Sequence, residues 1–157
     1  MSDPILRPAT LDDRDALRAL LAELHPDQPA PPDGALEALL AHPGVTLILA
    51  ECDGVPRATC TLAVVPNLSH GGRPYGVIEN VVTAAAHRRR GLGRAVLAEA
   101  VRRARAAGCY KVHLATGSRR ESTLAFYDSA GFTRDAKTYF EIRDRLPAPA
   151  PRHRTGA

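Results

Sequence analysis

The order of apolar runs, turn signals and helical periods predicts an α/β fold of the α+β kind, built on a mixed sheet. Two apolar runs, residues 45–51 and 55–65, flank Asp53-Gly54, the dipeptide signature of an antiparallel hairpin. Residues 75–116 read strand, basic turn, helix, strand, which is a parallel βαβ unit with a right-handed crossover. Leucines recur at helical spacing in residues 11–24. The expected architecture is a mostly antiparallel mixed sheet of six to seven strands, with a central βαβ unit and flanking helices. At 157 residues and 45% apolar content the chain forms one domain, expected over residues 1–146. Residues 147–157, rich in Pro, Ala and Arg without apolar period, read as a disordered tail.

The elements follow in order. Residues 4–8 make a short first strand centred on Ile5-Leu6-Arg7. Thr10 is an N-cap, and Asp12 and Asp13 in the first turn suit the helix dipole. Leu17, Leu20, Leu21 and Leu24 then line one face of a helix over 11–24. Residues 25–33 hold four prolines and form a loop. Leu36, Leu39 and Leu40 mark a second, shorter helix that Pro43-Gly44 ends. After the hairpin, residues 66–74 form a polar, glycine-bearing loop, and residues 75–83 the fourth strand. The long helix spans 92–107 and stops at Gly108. Residues 110–116 are the fifth strand, 122–130 a helix capped by Gly131, and 138–143 a last strand.

Composition narrows the function classes. The net charge of +4 is concentrated in residues 88–105 and in the tail, yet aromatic content is only 4%, so platforms for stacking nucleic-acid bases are scarce. No nucleic-acid partner is expected, and no stretch is apolar enough to span a membrane. The three cysteines (Cys52, Cys60, Cys109) have no metal-type spacing and an odd count, as reduced thiols of a cytoplasmic protein do. The histidines lack carboxylate partners at ligand spacing, and no metal is assigned.

One stretch carries chemistry: Arg88-Arg89-Arg90-Gly91-Leu92-Gly93-Arg94, between a strand and a helix start. Such a turn aims free backbone N–H groups one way with the helix dipole behind them, and its glycines let an anion approach closely. The implied ligand is a phosphate or pyrophosphate. A P-loop is excluded because no lysine follows Gly93, and the dinucleotide fingerprint fails because Val96 stands where a third small residue is needed.

Arg88-x-x-Gly91-x-Gly93 instead resembles the acyl-CoA motif of the GNAT family of N-acetyltransferases. Three more segments agree in order and spacing over roughly residues 4–143. Val77-Ile78-Glu79-Asn80-Val81-Val82-Thr83 is similar to the family's fourth strand, Gly108-Cys109-Tyr110-Lys111-Val112 to its fifth, and Phe126-Tyr127-x-x-x-Gly131-Phe132 to its closing motif. The Ile-Glu-Asn strand and the Gly-Cys-Tyr-Lys segment most resemble small-amine acetyltransferases such as the glucosamine-6-phosphate N-acetyltransferases.

The resemblance implies direct transfer of acetyl from acetyl-CoA, as co-substrate, to a small-molecule primary amine in a ternary complex. Tyr127 is the implied acid for the leaving thiolate, and Glu79, the only carboxylate of its strand, the candidate base. Strand alternation puts Glu79 on the face of Val77 and Val81. Val81, Val82 and Thr83 are expected along the pantetheine, where the fourth and fifth strands splay. Arg88, Arg89, Arg90, Gly91, Leu92, Gly93 and Arg94 are expected at the pyrophosphate, with Arg89 and Arg94 the side chains favoured for direct contact. Ser122 takes the place of an asparagine that many relatives carry. Asn80, His70 and Arg73 are candidates for the acceptor side. Acetylation of protein amines, and acyl-CoA sensing without catalysis, are the alternatives. Homodimers occur in the family, and the resemblance admits one.

Overall fold

The computed structural model describes residues 3–144. The chain runs β1 (Ile5–Pro8), a 3-10 turn (Leu11–Asp13), α1 (Arg14–Leu24), α2 (Ala35–Ala41), β2 (Val45–Cys52), β3 (Val55–Val65), a distorted helical turn α3 (Ser69–Gly72) and β4 (Tyr75–Thr83). A second 3-10 turn (Ala85–His87), α4 (Leu92–Ala106), β5 (Val112–Leu114) and α5 (Glu121–Ser129) follow. The sheet order is β1-β2-β3-β4-β5, antiparallel throughout except for the parallel β4–β5 pair that α4 connects. The hairpin turns at Asp53 and Gly54, both at positive φ, the geometry whose twist suits antiparallel strands. Among the described residues no helix is long and apolar enough to cross a membrane.

The sheet has five strands among the described residues, not six to seven. The expected strand over 138–143 does not form: this stretch joins no ladder, and Tyr139, Phe140 and Ile142 are exposed. Its side chains bond among themselves, Tyr139 Oη and Arg143 Nε both donating to Glu141. Strand propensity needs a partner edge to act on, and β5, shortened to Val112–Leu114 from the expected 110–116, offers only three residues. The segment expected as a tail, 147–157, lies outside the described residues.

Each sheet face carries its own core. On one face α4 lays Leu92, Val96, Leu97, Ala100 and Ala104 against Ile48, Cys60, Leu62 and Ile78. The approach is close: a Cβ on Gly76 would stand 3.3 Å from both Ala104 Cβ and Val112 Cγ2. Glycine there and alanines on the helix set the height of α4 above β4. On the other face α1 and α2 cover Leu47 and Leu49 with Leu17, Leu36, Leu39 and Leu40.

Thr10 is the N-cap of the 3-10 turn that leads into α1, as expected, and Asp13 completes a capping box with it. The buried Asp13 carboxylate accepts from the Thr10 N–H and hydroxyl (2.8 and 3.2 Å) and from both Arg7 Nη atoms (2.8 Å each). Arg7 also donates to Glu51 Oε2 at 2.8 Å, tying β1, β2 and the helix start together. Chiefly through Arg7, the Asp13 carboxyl is pulled down to about 2 from an ordinary 3.8.

Two outcomes are expected. A depressed folded-state pKa contributes stability above the ordinary carboxyl value, and the contribution is lost as pH falls through the folded value. Asp13 therefore adds roughly 2 kcal/mol at neutral pH, lost between about pH 4 and pH 2. Asp13→Asn should lower the neutral-pH melting temperature and flatten that acid limb; an unchanged acid limb would contradict the assignment. Gly76→Val should cost about 1–3 kcal/mol by overpacking the α4–β4 contact, measured by urea denaturation.

Candidate functional site

Strand β4 builds the site because it changes direction halfway. Thr61 pairs with Glu79 and Thr59 with Val82, so Cys60 alone opposes both Asn80 and Val81. That is a β-bulge, with Asn80 at φ 53° in the left-handed region. The extra residue reverses the alternation. Glu79 sits opposite Thr61, which lines a cavity under α1 and α2, whereas Val81 packs into the α4-side core. The expectation that Glu79 and Val81 share a face is thus corrected: it assumed unbroken alternation, and the bulge intervenes.

The bulge coincides with the parting of two strands. β4 and β5 pair only from Gly76–Val112 to Ile78–Leu114. Beyond Ile78 the β5-side edge of β4 has no strand partner among the described residues. The cleft so opened has a volume of about 780 Å³ and is walled by Val81, Val82 and Thr83 on one side and by Phe126 and Tyr127 of α5 on the other.

The arginine turn closes one end. Gly91 at φ 81° caps α4, and Arg89 at φ 60° is likewise left-handed. The first intrahelical bond runs from Ala95 N to Gly91 O (2.9 Å), so the Leu92, Gly93 and Arg94 amides come before it, at the positive end of the helix dipole. A Cβ on Gly93 would lie 3.2 Å from both Thr83 Oγ1 and Phe126 Cζ, so a side chain there would crowd the cleft wall. Backbone donors, a glycine wall and a cationic rim suit a pyrophosphate with an extended thiol arm.

Of the residues expected at the cofactor, Val81, Val82, Thr83, Arg88, Arg89, Gly91, Leu92, Gly93, Arg94 and Ser122 line this cleft, and Arg90 does not. The arginines differ in duty. Arg88 Nε donates to Thr83 O (3.2 Å) and bends the turn back onto β4. Arg94 Nη2 donates to Ser129 Oγ (2.7 Å), bracing α5 against α4. Arg89 makes no hydrogen bond or ion pair with a described side chain, which leaves its guanidinium available to a ligand.

Residues not anticipated also line the cleft: Glu23, Leu24, Ser118, Arg120, Thr123 and Phe126. Glu23 Oε2 accepts the Ala85 N–H at 2.7 Å and lies 3.9 Å from Arg88 Nη2, joining the end of α1 to the arginine turn. Ser118 Oγ accepts the Arg120 N–H (3.3 Å) and donates to Thr123 Oγ1 (3.1 Å), shaping the entry to α5. A serine three residues before the helix start is a legible turn signal; nothing around Glu23 in the sequence marks it.

Tyr127 is half-buried between Phe126 (ring centroids 5.0 Å) and Phe132 (6.4 Å), both edge-on. Burial first, then the negative charge of Glu79, raises its phenol above the ordinary tyrosine value. It therefore stays protonated at neutral pH and keeps a proton to donate. Glu79 is exposed just past the last β4–β5 pair, and its carboxylate makes no hydrogen bond with a described residue. Burial pushes the Cys60 thiol up to about 12 and raises that of Cys109, so neither offers a thiolate.

The acceptor-side candidates separate. Asn80 lines the α1–α2 cavity next to Glu79. His70 and Arg73 line neither the cleft nor that cavity. His70 stacks on Tyr110 at 3.8 Å, and Arg73 donates to Gly108 O (3.2 Å) and Cys109 O (3.3 Å), pinning the loop before β4 to the turn before β5.

Comparison with known proteins agrees with this geometry. A putative acetyltransferase from Agrobacterium tumefaciens is 44% identical and superposes with a TM-score of 0.84 over 89% of this chain and 99% of its own. Glucosamine-6-phosphate N-acetyltransferase from Arabidopsis thaliana, at 20% identity, shares the fold with a TM-score of 0.77 over 91% of this chain and 100% of its own. A glucosamine 6-phosphate N-acetyltransferase of Trypanosoma brucei brucei is 38% identical over 74 residues, 47% of this chain and 48% of that protein, so the match spans about half of each. The sequence model of the acetyltransferase (GNAT) family matches residues 14–132, which hold the bulged strand, the arginine turn and the tyrosine helix alike; the chain belongs to that family and is an acyltransferase.

Proposed function

We propose that the chain transfers acetyl from acetyl-CoA to the primary amine of a small metabolite by direct attack in a ternary complex. The observation that carries this reading is the parting of β4 from β5 beneath the α4 N-terminus, with Tyr127 on the wall and Glu79 just past the last β4–β5 pair.

Acetyl-CoA supplies the activated acetyl group; the protein supplies position, donors and proton traffic. The Leu92, Gly93 and Arg94 amides, with Arg89, hold the pyrophosphate. Val81 to Thr83 present backbone groups without a strand partner to the pantetheine arm, as a missing strand would. A backbone amide at the bulge stabilises oxyanion charge as the amine adds. Tyr127 gives its proton to the departing thiolate. Glu79, exposed to solvent, accepts the amine proton through water. Holding the two reactants in line supplies much of the rate. The raised thiols of Cys60 and Cys109 suit a mechanism without an acetylated cysteine.

Tyr127→Phe should reduce kcat by about 10²-fold, while acetyl-CoA still raises the melting temperature as it does in the parent. Glu79→Gln should slow acetylation most near neutral pH, and the deficit should narrow toward the pKa of the acceptor ammonium, where free amine exists without a base. Because Tyr127 ionises above the ordinary tyrosine value, the parent's alkaline limb should not begin below about pH 10. Thiol release with acetyl-CoA and an amine reads all three; two variants with parental rates across pH would remove both residues from the chemistry.

A further inference from the structure

The acceptor side holds a second cavity, of about 120 Å³, between α1, α2 and the sheet. Its walls are Leu17 and Leu21 of α1, Leu36 and Leu39 of α2, and Leu47 of β2. It reaches the chemistry through Thr61 and Asn80. Thr61 stands directly opposite Glu79 in the β3–β4 ladder, where side chains share a face, and Asn80 is the next residue along. A group seated in the cavity therefore lies beside the carboxylate assigned to the amine proton.

Polar capacity is scarce here. Thr59 lines the cavity, but its hydroxyl already donates to Ile48 O at 2.9 Å. Arg14 and Arg18 line it too, but Glu37 pairs with the first and Asp33, at 3.3 Å, with the second. Each guanidinium thus has a carboxylate partner with which a phosphate would have to compete. Among the described residues that line the cavity, Thr61 and Asn80 are the uncharged polar side chains with no hydrogen bond of their own. A polyhydroxylated ring would find few partners for its hydroxyls along the leucine walls. A leucine-lined cavity of about 150 Å³ accommodates a benzene ring, so this one fits a body of that size or slightly smaller.

We infer that the acceptor is a primary amine on a compact apolar body, a short branched alkyl or single-ring arylalkyl amine without phosphate or polyol. This rests on the acetyltransferase reading and departs from the sugar phosphate named for two of the similar proteins. The amine nitrogen lies at Glu79 and the apolar body fills the leucine cavity.

The test compares kcat/KM by thiol release for 3-methylbutylamine, 2-phenylethylamine and glucosamine 6-phosphate, with acetyl-CoA binding followed by thermal shift. The apolar amines should be preferred by at least about tenfold. Ala35→Leu, which adds bulk at the cavity wall, should raise KM for 2-phenylethylamine by a larger factor than KM for ethylamine. Preference for glucosamine 6-phosphate, or an equal loss on every amine in the Ala35→Leu variant, would overturn the inference and leave the acetyltransferase reading standing. No thiol release with any amine, although acetyl-CoA stabilises the protein, would overturn both.

Discussion

Everything at the site depends on one extra residue in β4. Asn80 in the left-handed conformation lets Asn80 and Val81 together face Cys60. Before this point β4 is paired on both edges; beyond it, only β3 remains. A bulge strengthens local twist and redirects side chains, and both effects are used. The twist accompanies the departure of β4 from β5, which opens the cleft. The redirection sends Glu79 toward α1 and α2 and Val81 toward α4. A regular strand would give either a closed sheet or a carboxylate on the wrong face.

The second constraint is the height of α4. Small residues at Gly76, Ala100 and Ala104 let the helix lie close to the sheet. Its N-terminus then meets the cleft with Gly93 against Thr83 and Phe126. Helix start, strand end and tyrosine helix converge because each is packed on the same core. Arg88 and Arg94 secure that convergence with bonds to Thr83 O and Ser129. The basic cluster is therefore partly scaffold, while Arg89 lines the cleft without bracing the turn.

Much of this was legible in the sequence, for physical reasons. The hairpin, the βαβ unit and both long helices rest on period and turn chemistry, which are local. The arginine–glycine turn was legible because glycines and free amides at a helix start are local features, and ten of the eleven residues expected at the cofactor line one cleft. What was missed depends on long-range geometry. Nothing in Glu79-Asn80-Val81 announces a bulge, since asparagine at positive φ is permitted rather than required. Glu23 meets Ala85 from 62 residues away. His70 and Arg73 looked free because their partners, Tyr110 and the Gly108 and Cys109 carbonyls, belong to a turn more than 30 residues on. The strand over 138–143 had the right propensity, but propensity cannot supply an edge.

The central claim is that the parting of β4 from β5 under the α4 N-terminus is where acetyl-CoA binds. An amide chemical-shift titration with acetyl-CoA tests it most directly. The account predicts the largest saturable shifts at Val81, Val82 and Thr83 and at Gly91 through Arg94, with smaller ones at Tyr127. Shifts centred instead on residues 131–136, with the arginine turn unmoved, would contradict it.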